Sequence, residues 1–468
     1  MPSFSIYTLG CKLNQLESEA VAASFRDAGF TVNPWEEGAD ILVVNTCTVT
    51  SMAEQKARRI IRKLLKENPS SLVIVTGCYA QLEAEKIAAL EETPAGSGGR
   101  RRLFVVPGDL KPALLDLPRR MGDAAKGRDV LSLEAGIAAD PFAFNAPDLS
   151  FHSRPFLKIQ DGCDQACAYC RVRVARGNSV SLDADTVLRR LRSLEEQGYA
   201  EAVLSGVNIS QYRDGRLGGL GALIAFLLEN TRRIALRLSS LEPEALTESL
   251  FAALGDRRLR PHFHLSLQSG SNRVLKRMGR PYTAEEAAAA AGKLRAIKDD
   301  PFLACDIIAG FPGEEGEDFA ETVELCKRID FAWIHVFPYS SRPDTPAFRF
   351  KDPVSPGEIP RRVETLRRLA KRGRAAYIRR WLGRTVEAVP ERFAYPGPEG
   401  CPEGFVPAVS ENYLKLLLLL PGGESAHKGT PKAAASGNPV NALGCRIFAL
   451  EGGEGGGRFD AGGEPSTI

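Results

Sequence analysis

The chain has 468 residues, 44% of them hydrophobic and 25% charged, an ordinary globular balance that argues against a largely disordered polymer and allows roughly two to four domains. Its formal net charge of +3 is too small to establish a nucleic-acid partner, so clustered positive charge has to be sought locally. No apolar run is long enough to cross a bilayer; the densest, 416–420, is stopped by Pro421 and reads as a buried strand.

The start, MPSFSIYTLGC, lacks the basic residues, apolar stretch and cleavage site of a secretory leader, so a cytoplasmic location is expected. From there to about residue 117, strand-like runs at 4–9, 41–45 and 72–76 alternate with amphipathic helices at 15–28, 53–67 and 82–90, which predicts a parallel α/β sheet. Residues 93–102 (TPAGSGGRRR) read as an inserted surface loop. Fading periodicity with Pro141, Pro147 and Pro155 marks a linker, 121–145, between a domain at 1–120 and a second βα series at 146–376. Its six strand candidates, 156–159, 201–205, 235–239, 262–267, 303–308 and 331–337, suit a partial barrel with its active site at the strands' carboxyl ends. Short β-like runs at 385–389, 405–409, 413–420 and 440–448 predict a small all-β module at 377–450, and the Gly-rich residues 451–468 a disordered tail.

Ten cysteines in a reducing compartment are more often ligands or catalysts than disulfides. DGCDQACAYC places Cys163, Cys167 and Cys170 in one loop after the first barrel strand. A cubane normally takes four cysteines, so three leave one iron open, and the amino and carboxylate groups of S-adenosylmethionine fit that vacancy. The rival reading, structural zinc, needs a fourth ligand, and no Cys or His follows at short range. Cys11, Cys47 and Cys78 each follow a predicted strand, and parallel topology makes those strand ends neighbours, which predicts a second 4Fe-4S cluster. Cys305, Cys326, Cys401 and Cys445 share no such address and read as buried thiols.

With LGCKLNQLESE, NTCTVT, TGCYAQ and the Cys163 loop on the page, followed by LSGVNISQY, RLSSLEP, HLSLQSGSNRVLKRMGRPYT, DIIAGFPGE and HVFPYSSRPDTPA, the chain resembles the radical S-adenosylmethionine methylthiotransferases over most of its length. The resemblance implies an N-terminal α/β domain with one cluster, a radical-SAM partial barrel with another, and a small TRAM-like β domain that binds RNA. Gly-Cys-Lys-x-Asn at 10–14 is similar to the branch that adds a methylthio group to C2 of threonylcarbamoyladenosine beside the tRNA anticodon. The alternatives are isopentenyladenosine in tRNA, a ribosomal-protein aspartate, or a non-catalytic iron-sulfur RNA-binding sensor. Partners implied are tRNA, an electron donor such as flavodoxin or ferredoxin, and a sulfur donor. The sequence departs from the family after Cys170, where Arg171, Val172 and Arg173 stand in place of two branched apolar residues and a proline.

Cofactor contacts are expected from Ser205, Gly206, Asn208, Arg237, Ser239 and Gln268, at or near strand carboxyl ends, although ordinary barrel packing explains any one of them as well. His262 and His264 alternate along one strand and are assigned no ligand role. GFPGE at 310–314 lacks the signature of a phosphate loop. Two basic helices could meet tRNA phosphates: 56–66, for which a solvated face is the plainer reading, and 361–380, with Arg367, Arg368, Lys371, Arg372, Arg374, Arg379 and Arg380.

Overall fold

A computed structural model describes residues 1–91, 101–123, 140–145, 149, 152–391, 405–419 and 443–446. The first layer is a parallel sheet of β1 (Ser3–Thr8), β2 (Thr31–Val32), β3 (Ile41–Thr46), β4 (Leu72–Gly77) and β5 (Leu103–Val105), in the order β2-β1-β3-β4-β5. β3 is buried along its whole length because both faces are covered. Ile41 and Val43 meet Leu16, Ala20 and Phe25 of α1 (Lys12–Asp27), while Leu42 and Val44 meet Ala57, Ile60 and Leu64 of α2 (Ser51–Glu67). A short helix, α3 (Cys78–Leu82), follows β4 directly.

The second unit contains β6 (Phe156–Lys158), β7 (Glu201–Ser205), β8 (Ala235–Leu238), β9 (His262–Gln268), β10 (Phe302–Ala309) and β11 (Trp333–Pro338). They form two three-stranded parallel sheets, β6-β7-β8 and β9-β10-β11, joined by single bridges Leu236↔Leu259 and Leu241↔Leu265. Alternation divides each strand. Leu204, Leu236, Leu238, Phe263, Leu265, Leu303, Cys305 and Ile334 face outward into the main core, packed by α5 (Ala184–Glu196), α6 (Leu220–Glu229), α7 (Ala284–Ile297) and α8 (Gly316–Ile329). The residues between them, among them Glu201, Arg237, His262, His264, Asp306 and His335, fall on the inner face, which is therefore polar. A short helix, α4 (Val172–Arg176), lies between the cysteine loop and α5.

The long helix α9 (Glu358–Trp381) leads into an antiparallel sheet of β12 (Thr385–Pro390), β13 (Phe405–Ser410), β14 (Lys415–Leu419) and β15 (Leu443–Arg446), in the order β14-β13-β12-β15. This sheet closes the lower end of the barrel, where Phe302 and Ala304 pack with Tyr377, Trp381, Val386, Ala408 and Leu414. The run at 416–420 is not a fully buried strand: Leu416 is buried and Leu418 packs partly against the same core, but Leu417, on the opposite face, is only half-buried. The insertion at 93–102 lies outside the described residues except for its last two positions; most of the linker and all of the tail also lie outside them. Among the described residues, no helix is long and apolar enough to cross a membrane.

Candidate active site

β1, β3 and β4 are neighbours in register, Thr8 opposite Asn45 and Asn45 opposite Thr76, so Cys11, Cys47 and Cys78 leave one edge of the sheet together. The strand ends are tied by side chains. Asn14 Nδ2 donates to the Leu9 and Thr46 carbonyls at 2.7 and 3.0 Å, Asn45 Nδ2 to the Asn14 carbonyl at 2.9 Å, and Thr46 Oγ1 to the Thr76 carbonyl at 2.5 Å. Gly10, at φ +101°, leaves room for Cys47, whose Cβ would lie 2.6 Å from any methyl group there. Cys11 is accessible, Cys78 half-buried and Cys47 buried.

The second trio sits on a loop closed by the Cys163 amide, which donates to the Gly177 carbonyl at 3.1 Å, and by the Ala168 amide, which donates to the Met278 carbonyl at 2.8 Å. Each sulfur has a nitrogen donor near it: Arg280 Nη1 at 3.1 Å from Cys167, the Val172 amide at 3.4 Å from Cys170, and Asn208 Nδ2 at 3.9 Å from Cys163. Burial pushes the Cys47 and Cys170 thiols up to about 12, so a cation has to draw them into the thiolate form. Three soft sulfurs with N–H donors around them fit an iron-sulfur group, and Cys163, Cys167 and Cys170 would hold it. Among the described residues, no group of three Cys, His, Asp or Glu is spaced to hold a single metal ion. A cavity of about 560 Å³ lies beside this loop, walled by Gln165, Asn208, Ser210, Gln211, Arg213 and Glu242.

Arg176 on α4, the helix that follows the Cys163 loop, reaches the N-terminal trio. Its Nε lies 3.3 Å from Cys78 Sγ, its Nη1 lies 3.0 Å from Glu17 and 3.1 Å from Asp161, and its Nη2 is 3.0 Å from Asn14 Oδ1. Lys111 and Lys158 complete this buried network on Glu17, with Lys158 also 2.6 Å from Asp161. A second joint explains the departure after Cys170. Arg171 is buried and reaches Asp344 at 2.9 Å, Glu83 at 3.4 Å and Glu54 at 3.5 Å, while Arg342 pairs with Glu54 and donates to Thr48 Oγ1 at 3.1 Å. An apolar residue at 171 would leave those acids without this cation. Sequence reasoning did not single out Arg171, Arg280 or Glu17 as site residues, although all three lie inside or beside motifs it quoted.

Of the predicted cofactor contacts, Ser205, Gly206 and Asn208 lie at or just beyond the end of β7. Ser205 is buried with an Oγ that has no hydrogen-bond partner among the described residues. Gly206 packs on Gln160, whose Oε1 accepts the Asn208 amide at 2.8 Å. Ser239 is buried just beyond β8, and Gln268 closes β9 at φ +65°. Arg237 is a correction. It lies before the strand end, fully buried, with Nε and Nη2 at 2.6 and 3.0 Å from Glu201 and a 3.1 Å bond to the Ser410 carbonyl, so its donors are spent on fastening the C-terminal sheet. One of the proposed RNA contacts is corrected likewise: Arg374 is spread over the Phe302 and Trp333 rings. Arg380 is exposed and pairs with Asp300 and Asp330 at 3.0 and 3.2 Å. Arg367, Arg368, Lys371, Arg372 and Arg379 are exposed. His264 is hydrogen-bonded and His262 packs between Phe302 and Tyr413, while Cys305 and Cys326 are buried.

A three-cysteine loop after the first strand of a six-stranded partial barrel defines a radical S-adenosylmethionine enzyme, and residues 157–326 match the model of the Radical SAM superfamily. Residues 3–95 match the model described as Uncharacterized protein family UPF0004. The threonylcarbamoyladenosine tRNA methylthiotransferase MtaB of Treponema pallidum is 40% identical, covering 92% of this chain and 97% of its own. The Bacillus subtilis protein of the same name is 33% identical over 89% and 90%, and a tRNA-2-methylthio-N(6)-dimethylallyladenosine synthase of Sorangium cellulosum is 33% identical over 84% and 82%. Among solved structures, the radical S-adenosylmethionine methyltransferase TsrM of Kitasatospora setae aligns over 74% of this chain and 77% of its own at 13% identity and TM-score 0.49. The chain belongs to the radical S-adenosylmethionine methylthiotransferase family, as its motifs imply.

Proposed function

We propose that this protein adds a methylthio group to C2 of threonylcarbamoyladenosine beside the anticodon of tRNA. The observation that carries the reading is the gathering of Cys11, Cys47 and Cys78 at one sheet edge and of Cys163, Cys167 and Cys170 on one loop, with Arg176, on the helix after that loop, touching Cys78. The strongest support for the substrate is the 40% identity to the Treponema pallidum enzyme.

When bound, S-adenosylmethionine and two 4Fe-4S clusters supply the radical and sulfur chemistry. Cys163, Cys167 and Cys170 would hold one cluster and Cys11, Cys47 and Cys78 the other. Ser205, Gly206, Asn208, Ser239 and Gln268 would line the cofactor, and the buried ion network around Arg176 would keep both trios in register and exclude water between them. Arg367, Arg368, Lys371, Arg372 and Arg379 would steer tRNA toward the TRAM-like sheet. The division into 1–120, 146–376 and 377–450, a flavodoxin or ferredoxin as electron donor, a separate sulfur donor and a cytoplasmic location complete the reading.

Nucleoside mass spectrometry of tRNA from cells with and without the gene tests it. Loss of methylthio-threonylcarbamoyladenosine with accumulation of its precursor is expected; an unchanged level refutes the substrate.

A further inference from the structure

Cys167 differs from the other two sulfurs of its loop in having a charged donor. Among the described residues, Cys163 faces the side-chain amide of Asn208 and Cys170 the Val172 backbone amide, both neutral, whereas Cys167 Sγ lies 3.1 Å from Arg280 Nη1. The chain before Arg280 is pinned to the cysteine loop. Met278 ends the short helix Asn272–Met278, and its carbonyl accepts the Ala168 amide at 2.8 Å. Gly279, at φ +75°, passes so close to the loop that a methyl group there would lie 3.2 Å from the Ala166 carbonyl oxygen. Arg280 follows at once.

Every N–H of its guanidinium finds an acceptor. Nε donates to Tyr282 Oη at 3.1 Å, Nη1 to Gln165 Oε1 at 3.0 Å as well as to Cys167, and Nη2 to Glu242 and to the Ser266 carbonyl at 3.3 Å. Arginine brings five such donors in a fixed plane, so this arrangement holds the group in one orientation. Tyr282 is braced in turn, its hydroxyl donating to the Ser266 carbonyl at 2.6 Å. Arg280, Glu242 and Cys167 are all buried, and water does little to screen charges placed there. Arg280 and Glu242 cancel in net charge, but the positive member is the one that touches the sulfur.

Reductive cleavage of S-adenosylmethionine draws on one electron, which an external donor delivers to the cluster that Cys163, Cys167 and Cys170 would hold. That electron adds one negative charge to a group already carrying three thiolates. A cation at one of those thiolates stabilises the reduced form more than the oxidised one, and a nearby carboxylate opposes it; net charge and hydrogen bonds to the sulfurs are levers by which a protein sets such a potential. We propose that Arg280, acting through Cys167, raises the potential at which this cluster accepts its electron, with Glu242 as the counterweight. Arg280 touches a ligand and no reacting atom, which makes it a positioning residue. The tRNA substrate plays no part in this role.

A redox titration of reconstituted full-length protein under argon, with dithionite as reductant and electron paramagnetic resonance as the readout, tests it. The centre whose signal changes on adding S-adenosylmethionine is the one at the Cys163 loop, which separates it from a second cluster. Arg280→Gln is expected to move the midpoint of that centre to more negative values by at least a tenfold change in the reduction equilibrium, about 59 mV for one electron. Glu242→Gln should move it the other way. A purely structural role would not give opposite signs, since loosening the loop acts alike in both variants. Midpoints that stay unchanged in both, or move in the same direction, overturn the proposal, and so does loss of iron from both. Where Arg280→Gln alone fails to hold iron, Glu242→Gln decides: a raised midpoint is the expected result, and an unchanged or lower one refutes the counterweight and the role of Arg280 with it.

Discussion

Gly162 takes φ +68°, and a methyl group there would overlap the Asn178 carbonyl oxygen, so the turn that aims Cys163 tolerates no side chain. Gly162→Ala is expected to cost about 1–3 kcal/mol and to lower the iron held by the Cys163 loop while sparing the N-terminal trio, as read by iron content and S-adenosylmethionine cleavage. Full iron loading would show that the turn relaxes. Glu201 gives a prediction in pH. Its burial would raise the carboxyl, but Arg237 and Arg260 bring it down to about 2. The folded form therefore holds the proton less tightly than the unfolded chain, and the stabilisation is fully present above the ordinary carboxylate value of 4.5 and lost as pH falls toward 2. Glu201→Gln should cost about 3–5 kcal/mol at neutral pH, because it leaves two buried guanidinium groups short of an acid. In urea titrations from pH 6 to pH 3, the variant's stability should fall less steeply than the wild type's; parallel curves would contradict this.

The helix α9 shows how one element serves two surfaces. Val363, Leu366, Ala370, Tyr377, Ile378 and Trp381 are buried against the barrel and the C-terminal sheet, which leaves Arg367, Arg368, Lys371, Arg372 and Arg379 toward solvent. If Arg368, Lys371 and Arg372 each neutralise one phosphate, changing all three to Gln should flatten the slope of log affinity for tRNA against log salt by about 2–3. An unchanged slope between low and physiological salt would make the run a solvated face. Elements of this kind were legible in the sequence because their signal is local: the short apolar runs within 41–45 and 201–205 arise from the same two-sided burial that builds β3 and β7. The strand-end address of the cysteines was legible for the same reason, since parallel topology follows from the order of strands and helices. What local pattern does not carry is the partner of a charge. Arg237 sits on a barrel strand like a cofactor contact, and only the fold reveals Glu201 beside it, 36 positions away. Arg374 looks like its exposed neighbours in the sequence, and its ring partners come from distant strands. Arg171 departs from the family pattern, and its partners Glu54, Glu83 and Asp344 lie 88 or more positions from it in either direction.

Across the whole molecule, the N-terminal layer and the barrel meet through buried charge as well as through Phe156, which packs against the N-terminal core. Glu17 from α1 and Asp161 from the barrel share Lys158 and Arg176, Glu17 also holds Lys111, all of them buried or nearly so, and Arg171 with Arg342 repeats the device on Glu54. Such a joint fixes geometry strictly, because each charge is tolerable only while its partners stay in place, and strict geometry is what two cysteine sites acting on one base require. Burial works against the Glu17 carboxylate, but Arg176, Lys111 and Lys158 hold its carboxyl well below the usual range, so its contribution too is present at neutral pH and lost in acid. Glu17→Gln leaves Lys158 and Arg176 to Asp161 alone, takes the carboxylate from Lys111, and should cost about 3–5 kcal/mol. The loss should fall on the joint before either core. In hydrogen exchange under mild urea at neutral pH, the amides of β3 are expected to open earlier than those of β10 in the variant, while in the wild type the two open together. In acid the wild type should approach the variant's behaviour as Glu17 and Asp161 take up protons. Coincident opening of β3 and β10 in the variant at neutral pH, with an unchanged midpoint, would mean that the layers are held by something other than this network.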